Sequence, residues 1–89
     1  MDALTQAQLD DLNAIWQFEN VDDDSYVDDR QRGFNFAARE IRDKTLSGAS
    51  IQELLGQFDY IDLDDERWCD DWERGTYSLY RAVKAVLTA

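Results

Sequence analysis

The chain repeats itself. At an offset of 42 residues, positions 5–46 align with 47–88 without a gap, and nine pairs are identical: Ala7/Ala49, Leu12/Leu54, Asp22/Asp64, Asp23/Asp65, Asp28/Asp70, Asp29/Asp71, Arg32/Arg74, Gly33/Gly75 and Arg39/Arg81. Unrelated segments of ordinary composition would share about three. Conservative pairs extend the match, among them Leu9/Ile51, Trp16/Phe58, Phe18/Tyr60, Val21/Leu63, Asp24/Glu66, Tyr26/Trp68 and Ile41/Val83. The passages VDDDSYVDDRQRG (21–33) and LDDERWCDDWERG (63–75) are the most alike. A duplication constrains the fold strongly, because each unit is too small to enclose a core and must pack on its copy.

Each unit reads as two helices. No proline occurs in the chain, so nothing forbids long helices. Thr5 with Gln8, and Ser50 with Glu53, have capping-box spacing, and Leu4 is placed to staple onto Leu9. Leu9, Leu12, Ile15 and Trp16 follow at helical spacing, as do Ile51, Leu54, Leu55 and Phe58. The acids Asp22, Asp23 and Asp24, and those from Asp62 to Glu66, are expected to cap the longer second helix of each unit. Its apolar stripe is expected to hold Tyr26, Val27, Phe34, Ala37, Ala38, Ile41 and Thr45 in the first unit. In the second it is expected to hold Trp68, Cys69, Trp72, Thr76, Leu79, Tyr80, Val83, Val86 and Leu87. Gly33 and Gly75 lie near these stripes at matching positions. They predict either a close helix crossing or a kink or later helix start. The expected fold is therefore all-α: one domain over 1–89, four helices as two tandem 42-residue helix-hairpin repeats (5–46 and 47–88) with pseudo-twofold symmetry.

Charge limits the function. Twenty acids against nine bases give a net charge of −11, which repels nucleic acid and anionic membranes as direct partners. An apolar fraction of 44% with eleven aromatics is too high for a disordered acidic tail. No apolar run approaches a membrane span, and the N-terminal residues lack a signal-peptide pattern. Cys69 is the only cysteine, so no intrachain disulfide is possible, which fits a reducing cytoplasm. Histidine is absent, which removes Ser/His/Asp and Cys/His catalytic sets, and no phosphate-cradling glycine motif occurs. The expectation is a protein that is not an enzyme and uses no cofactor or metal.

DLDDERWCDDWE (62–73) resembles an EF-hand calcium loop in part. Asp62, Asp64, Glu66, Asp70 and Glu73 fall at positions 1, 3, 5, 9 and 12, but Arg67 replaces the sharp-turn glycine. In the first unit Asn20 opens the passage and Gln31 closes it. A degenerate calcium-binding module is one alternative. A nuclease-immunity or adaptor protein is another, since colicin immunity proteins are similarly acidic and four-helical.

Acids at helix starts and bases further on complement helix dipoles. That leaves Asp28, Asp29, Asp70, Asp71 and Glu73 as surplus charge. On one continuous helix, Glu66, Asp70 and Glu73 would rise in steps of about 6 and 4.5 Å, on the scale of successive phosphates of one DNA strand. In size, charge and lack of catalytic groups the chain resembles small acidic proteins of phages and mobile elements, the DNA mimics of the anti-restriction and anti-CRISPR kind. The resemblance implies a non-enzymatic inhibitor that occludes the basic, nucleic-acid-binding surface of another protein. It includes no sequence motif, so the candidate partner-binding residues come from charge alone: Asp22, Asp23, Asp24, Asp28 and Asp29, with Asp64, Asp65, Glu66, Asp70, Asp71 and Glu73.

Overall fold

The computed structural model describes residues 3–89. These form four helices and no strand: α1 (Gln6–Glu19), α2 (Asp29–Leu46), α3 (Ile51–Leu55) and α4 (Asp71–Leu87). Both capping boxes form as the spacing predicts. Thr5 Oγ1 accepts from the Gln8 N–H at 3.1 Å while the Gln8 side chain accepts from the Thr5 N–H at 2.9 Å. Ser50 and Glu53 repeat the exchange at 3.1 and 3.4 Å. Helix α1 runs for 14 residues and stops at Asn20, which takes the left-handed conformation (φ 50°). Helix α3 stops after five, at Gly56, where the first unit has Ala14. Glycine is about 1 kcal/mol worse than alanine inside a helix. The chain continues as turns that still bury Phe58.

The long helices begin later than expected. Their N-caps are Asp28 and Asp70, whose carboxylates accept from the Gln31 and Glu73 N–H groups at 2.9 and 2.8 Å. Asp22, Asp23 and Asp24, and Asp62 through Glu66, lie in the preceding loops instead. Asp23 accepts from the Ser25 N–H at 2.9 Å, Asp62 from the Asp64 N–H at 3.1 Å and Asp65 from the Arg67 N–H at 3.2 Å. Such local side-chain-to-backbone bonds hold turns and compete with helix formation. Tyr26 and Trp68 therefore leave the helical stripes and stand in solvent, and Cys69 is half-buried in a loop.

Gly33 and Gly75 are neither kinks nor helix starts. Each is buried in the second turn of its helix, where α2 and α4 cross. A Cβ on Gly33 would overlap the Trp72 carbonyl oxygen and lie 2.8 Å from its carbon. One on Gly75 would overlap the Arg30 carbonyl oxygen and lie 2.8 Å from both the Arg30 carbon and the Phe34 nitrogen. Trp72 is 42 residues beyond Arg30, so the two glycines make reciprocal contacts. Further on, Phe36 of α2 packs on Trp72 of α4 (ring centroids 5.4 Å), and Arg30 of α2 donates to Ser78 of α4 at 3.3 Å.

The α2–α4 packing is the most extensive in the molecule. Ala37, Ala38 and Ile41 of α2 and Leu79, Val83 and Leu87 of α4 are buried. Leu12 and Trp16 of α1, Leu54 of α3, and Val21, Phe58 and Leu63 of the connections complete the core. Among the described residues no helix is long and apolar enough to cross a membrane.

Candidate acidic interaction surface

Two stretches, residues 20–28 and 62–70, lead into the long helices and contain most of the candidate acids. An arginine from the following helix anchors each loop. Arg39 of α2 donates to the Val21 carbonyl at 2.6 Å and pairs with Asp24 at 3.2 Å. Arg81 of α4 donates to the Leu63 carbonyl at 2.6 Å and pairs with Glu66 at 3.6 Å. The second pair is too long for a hydrogen bond, and Glu66 Oε1 is buried without one. The apolar residues whose carbonyls are gripped, Val21 and Leu63, face inward, while Asp22, Asp23 and Asp64 are exposed and Asp24, Asp65 and Glu66 are half-buried.

The remaining acids are also held. Arg42 grips Asp22 through both oxygens at 2.8 and 2.9 Å, which draws the Asp22 carboxyl below its ordinary value. The bond from the buried Asn35 amide, at 2.8 Å, does the same for Asp24, with Arg39 adding to it. Asp23 is lowered by the Ser25 N–H, and Asp65 by Arg67, which meets it at 2.9 and 3.0 Å. Asp29 pairs with Arg32, and Asp71 with Arg74, one turn along their helices. Among the described residues, Asp23, Asp28, Asp70 and Glu73 are held by backbone N–H groups, and the Asp64 carboxylate stands free of hydrogen bonds and ion pairs.

The five surplus charges thus have structural work. Asp28 and Asp70 are caps, Asp29, Asp71 and Glu73 stand in first helical turns, and Glu73 closes a capping box on Asp70. The crossing joins the second turn of α2 to the second turn of α4, so two helix N-termini meet there. Each carries roughly half a positive charge, and clustered carboxylates offset both. Glu66 precedes α4, so the expected helical row of Glu66, Asp70 and Glu73 does not form. The EF-hand positions do not converge either: among the described residues no three or more Asp, Glu or Cys side chains are grouped to hold a metal ion.

Four large aromatics stand in solvent, and two of them, Tyr26 and Trp68, are ones that helical spacing assigned to buried stripes. Tyr26 is 100% exposed, Trp68 88%, Phe18 87% and Tyr60 80%. Tyr26 and Trp68 are one 42-residue pair, and Phe18 and Tyr60 are another. Tyr60 and Trp68 line a cavity with Tyr77, whose phenol is pushed up to about 12, first by the Cys69 thiol beside it, then by burial and by Glu73 and Asp65. The signal available in the sequence was the preservation of aromatic character at two paired positions, Tyr26/Trp68 in the loops before the long helices and Phe18/Tyr60 at or beyond the ends of the short ones.

No protein-family model matches the chain, and no curated protein or solved structure matches it.

Proposed function

We propose that this is a non-enzymatic acidic binding protein that covers a basic, nucleic-acid-binding surface of another protein, as DNA-mimicking inhibitors do. We further propose that it is built as two helix-hairpin repeats with pseudo-twofold symmetry. The observation that carries the functional reading is the pair Tyr26 and Trp68, at matching positions of the two halves, left in solvent within loops whose carboxylates are fixed in place. The core does not use these aromatics. Large aromatics in a polar, charged rim are what protein interfaces select. Carboxylates already fixed by arginine anchors and helix caps lose little side-chain freedom when a partner's cations approach. A net charge of −11 steers encounter with a basic surface and disfavours acidic competitors.

Support for the repeat comes from contacts that recur 42 residues apart: Arg39 to Val21 and Arg81 to Leu63, Asp29 with Arg32 and Asp71 with Arg74, and the reciprocal approaches of Gly33 and Gly75.

The functional test is competition. Proteins captured from cells on the immobilised chain are identified and then challenged with duplex DNA or RNA. Release by nucleic acid, and loss of nucleic-acid binding by the captured protein when this chain is added, are expected. A captured protein that holds both at once refutes occlusion.

A further inference from the structure

The loop between α3 and α4 borders a cavity of about 310 Å³ with two kinds of wall. Tyr60, Trp68 and Tyr77 supply aromatic surface, and Asp62, Asp65 and Glu73 supply carboxylates. Arg67 occupies Asp65 at 2.9 and 3.0 Å. Asp62 gives one oxygen to the Asp64 N–H and Glu73 gives one to the Asp70 N–H, so each keeps a second oxygen for another donor. The upward push of the Glu73 and Asp65 charges on the Tyr77 phenol is consistent with a negative potential inside the cleft.

The cleft is not a by-product of the repeat. The matching positions of the first unit are Phe18, Asn20, Asp23, Tyr26, Gln31 and Asn35. Two of the three carboxylates are replaced there by amides. Gln31 donates to Asn35 at 2.9 Å and Asn35 to Asp24 at 2.8 Å, so polar side chains bond to one another where the second unit is open.

We propose that this cleft receives one arginine side chain of the protein partner. A guanidinium stacks on an indole or phenol face and donates in its plane to carboxylates, so it satisfies both walls together. An ammonium is more strongly hydrated and lacks the planar fork, so lysine fits less well. The proposal rests on the reading above only for the identity of the partner; the chemistry of the cleft stands apart from it.

The probe is the peptide acetyl-Gly-Arg-Gly-amide, followed by nitrogen–proton NMR through the Trp68 indole N–H and the Cys69 and Tyr77 amides. Saturable shifts confined to the cleft are expected, with weaker binding of the lysine peptide. The neutral citrulline peptide should give no saturation. Trp68→Ala and the pair Asp62→Asn with Glu73→Gln should each weaken arginine binding by about tenfold. Trp68 is exposed and glutamine still serves a capping box, so both variants should keep the fold. Leu46→Ala, at an exposed position remote from the cleft, should leave the affinity within about twofold. Equal response to citrulline, unchanged binding by Trp68→Ala, or shifts spread equally over both loops would overturn the proposal. If arginine saturates the cleft but captured partners ignore nucleic acid, occlusion fails and the cleft survives. If nucleic acid releases the partner but the cleft takes no arginine, the reverse holds.

Discussion

Replacing Gly33 or Gly75 with alanine tests the crossing at the centre of the fold. Alanine in a helix interior is favoured over glycine by about 1 kcal/mol, so intrinsic propensity argues for stabilisation. The opposing effect is steric. The added carbon would lie 2.8 Å from the Trp72 carbonyl carbon at one site and 2.8 Å from the Arg30 carbon and Phe34 nitrogen at the other. Carbon atoms prefer about 3.5–4.0 Å. The atoms struck are backbone, so no rotamer change relieves the overlap and the helices must separate. Overpacking of this kind costs about 1–3 kcal/mol, and lost contacts along Ala37, Leu79 and Val83 add to it. Net destabilisation should be about 2 kcal/mol at each site after the propensity gain. With a urea slope of about 1 kcal/mol/M for so small a domain, the midpoint should fall by about 2 M. Because one separation relieves both overlaps, the double variant should lose less than the sum of the singles. Gly56→Ala, at an exposed αR cap, is the control and should be neutral to stabilising by up to about 1 kcal/mol. Urea melts followed by circular dichroism suffice. Alanine variants as stable as the parent, or fully additive losses, would refute the close crossing.

Three further outcomes are expected. Arg81→Met strips the Leu63 carbonyl of its donor and leaves the Glu66 carboxylate without its cation, and should cost about 1.5–3 kcal/mol in the same melts. Asp70→Ala should cost about 1 kcal/mol and Asp70→Asn only a few tenths, because asparagine caps as well as aspartate does. In an NMR acid titration, Asp22, Asp23, Asp24 and Asp65 should each titrate below the ordinary aspartate value, drawn down by Arg42, the Ser25 N–H, Asn35 and Arg67 respectively. Since their folded values are depressed, the stability they confer is present above the unfolded aspartate value and lost as pH falls through the folded ones. Titration of any of them at or above the ordinary aspartate value would contradict the contact assigned to it.

The legible parts of the sequence were local or paired. Thr5/Gln8 and Ser50/Glu53 fixed two helix starts because a capping box needs only four residues. Gly33 and Gly75 pointed to the crossing because two costly residues at one offset call for a common cause. The starts of the long helices were hidden by excess: many aspartates compete as caps, and Asp23, Asp62 and Asp65 satisfy turns instead. Extending the helical period backwards across those loops then placed Tyr26, Trp68 and Cys69 on buried stripes that end at Asp28 and Asp70. The grips of Arg39 on Val21 and Arg81 on Leu63 span 18 residues and involve backbone carbonyls, for which side-chain patterns carry no signal. The aromatic and acidic walls of the cleft come together only once the loop is folded.

The salt dependence of partner affinity tests the electrostatic mechanism most directly, measured for the parent and for a variant with Asp28, Asp29, Asp70 and Asp71 all changed to asparagine. Caps survive the change while four charges are removed. Affinity of the parent should fall steeply between low and physiological salt, and the variant should bind more weakly with a shallower slope while circular dichroism shows the same helix content. A parent affinity indifferent to salt, or a variant that binds as tightly with the same slope, would contradict a function based on these carboxylates.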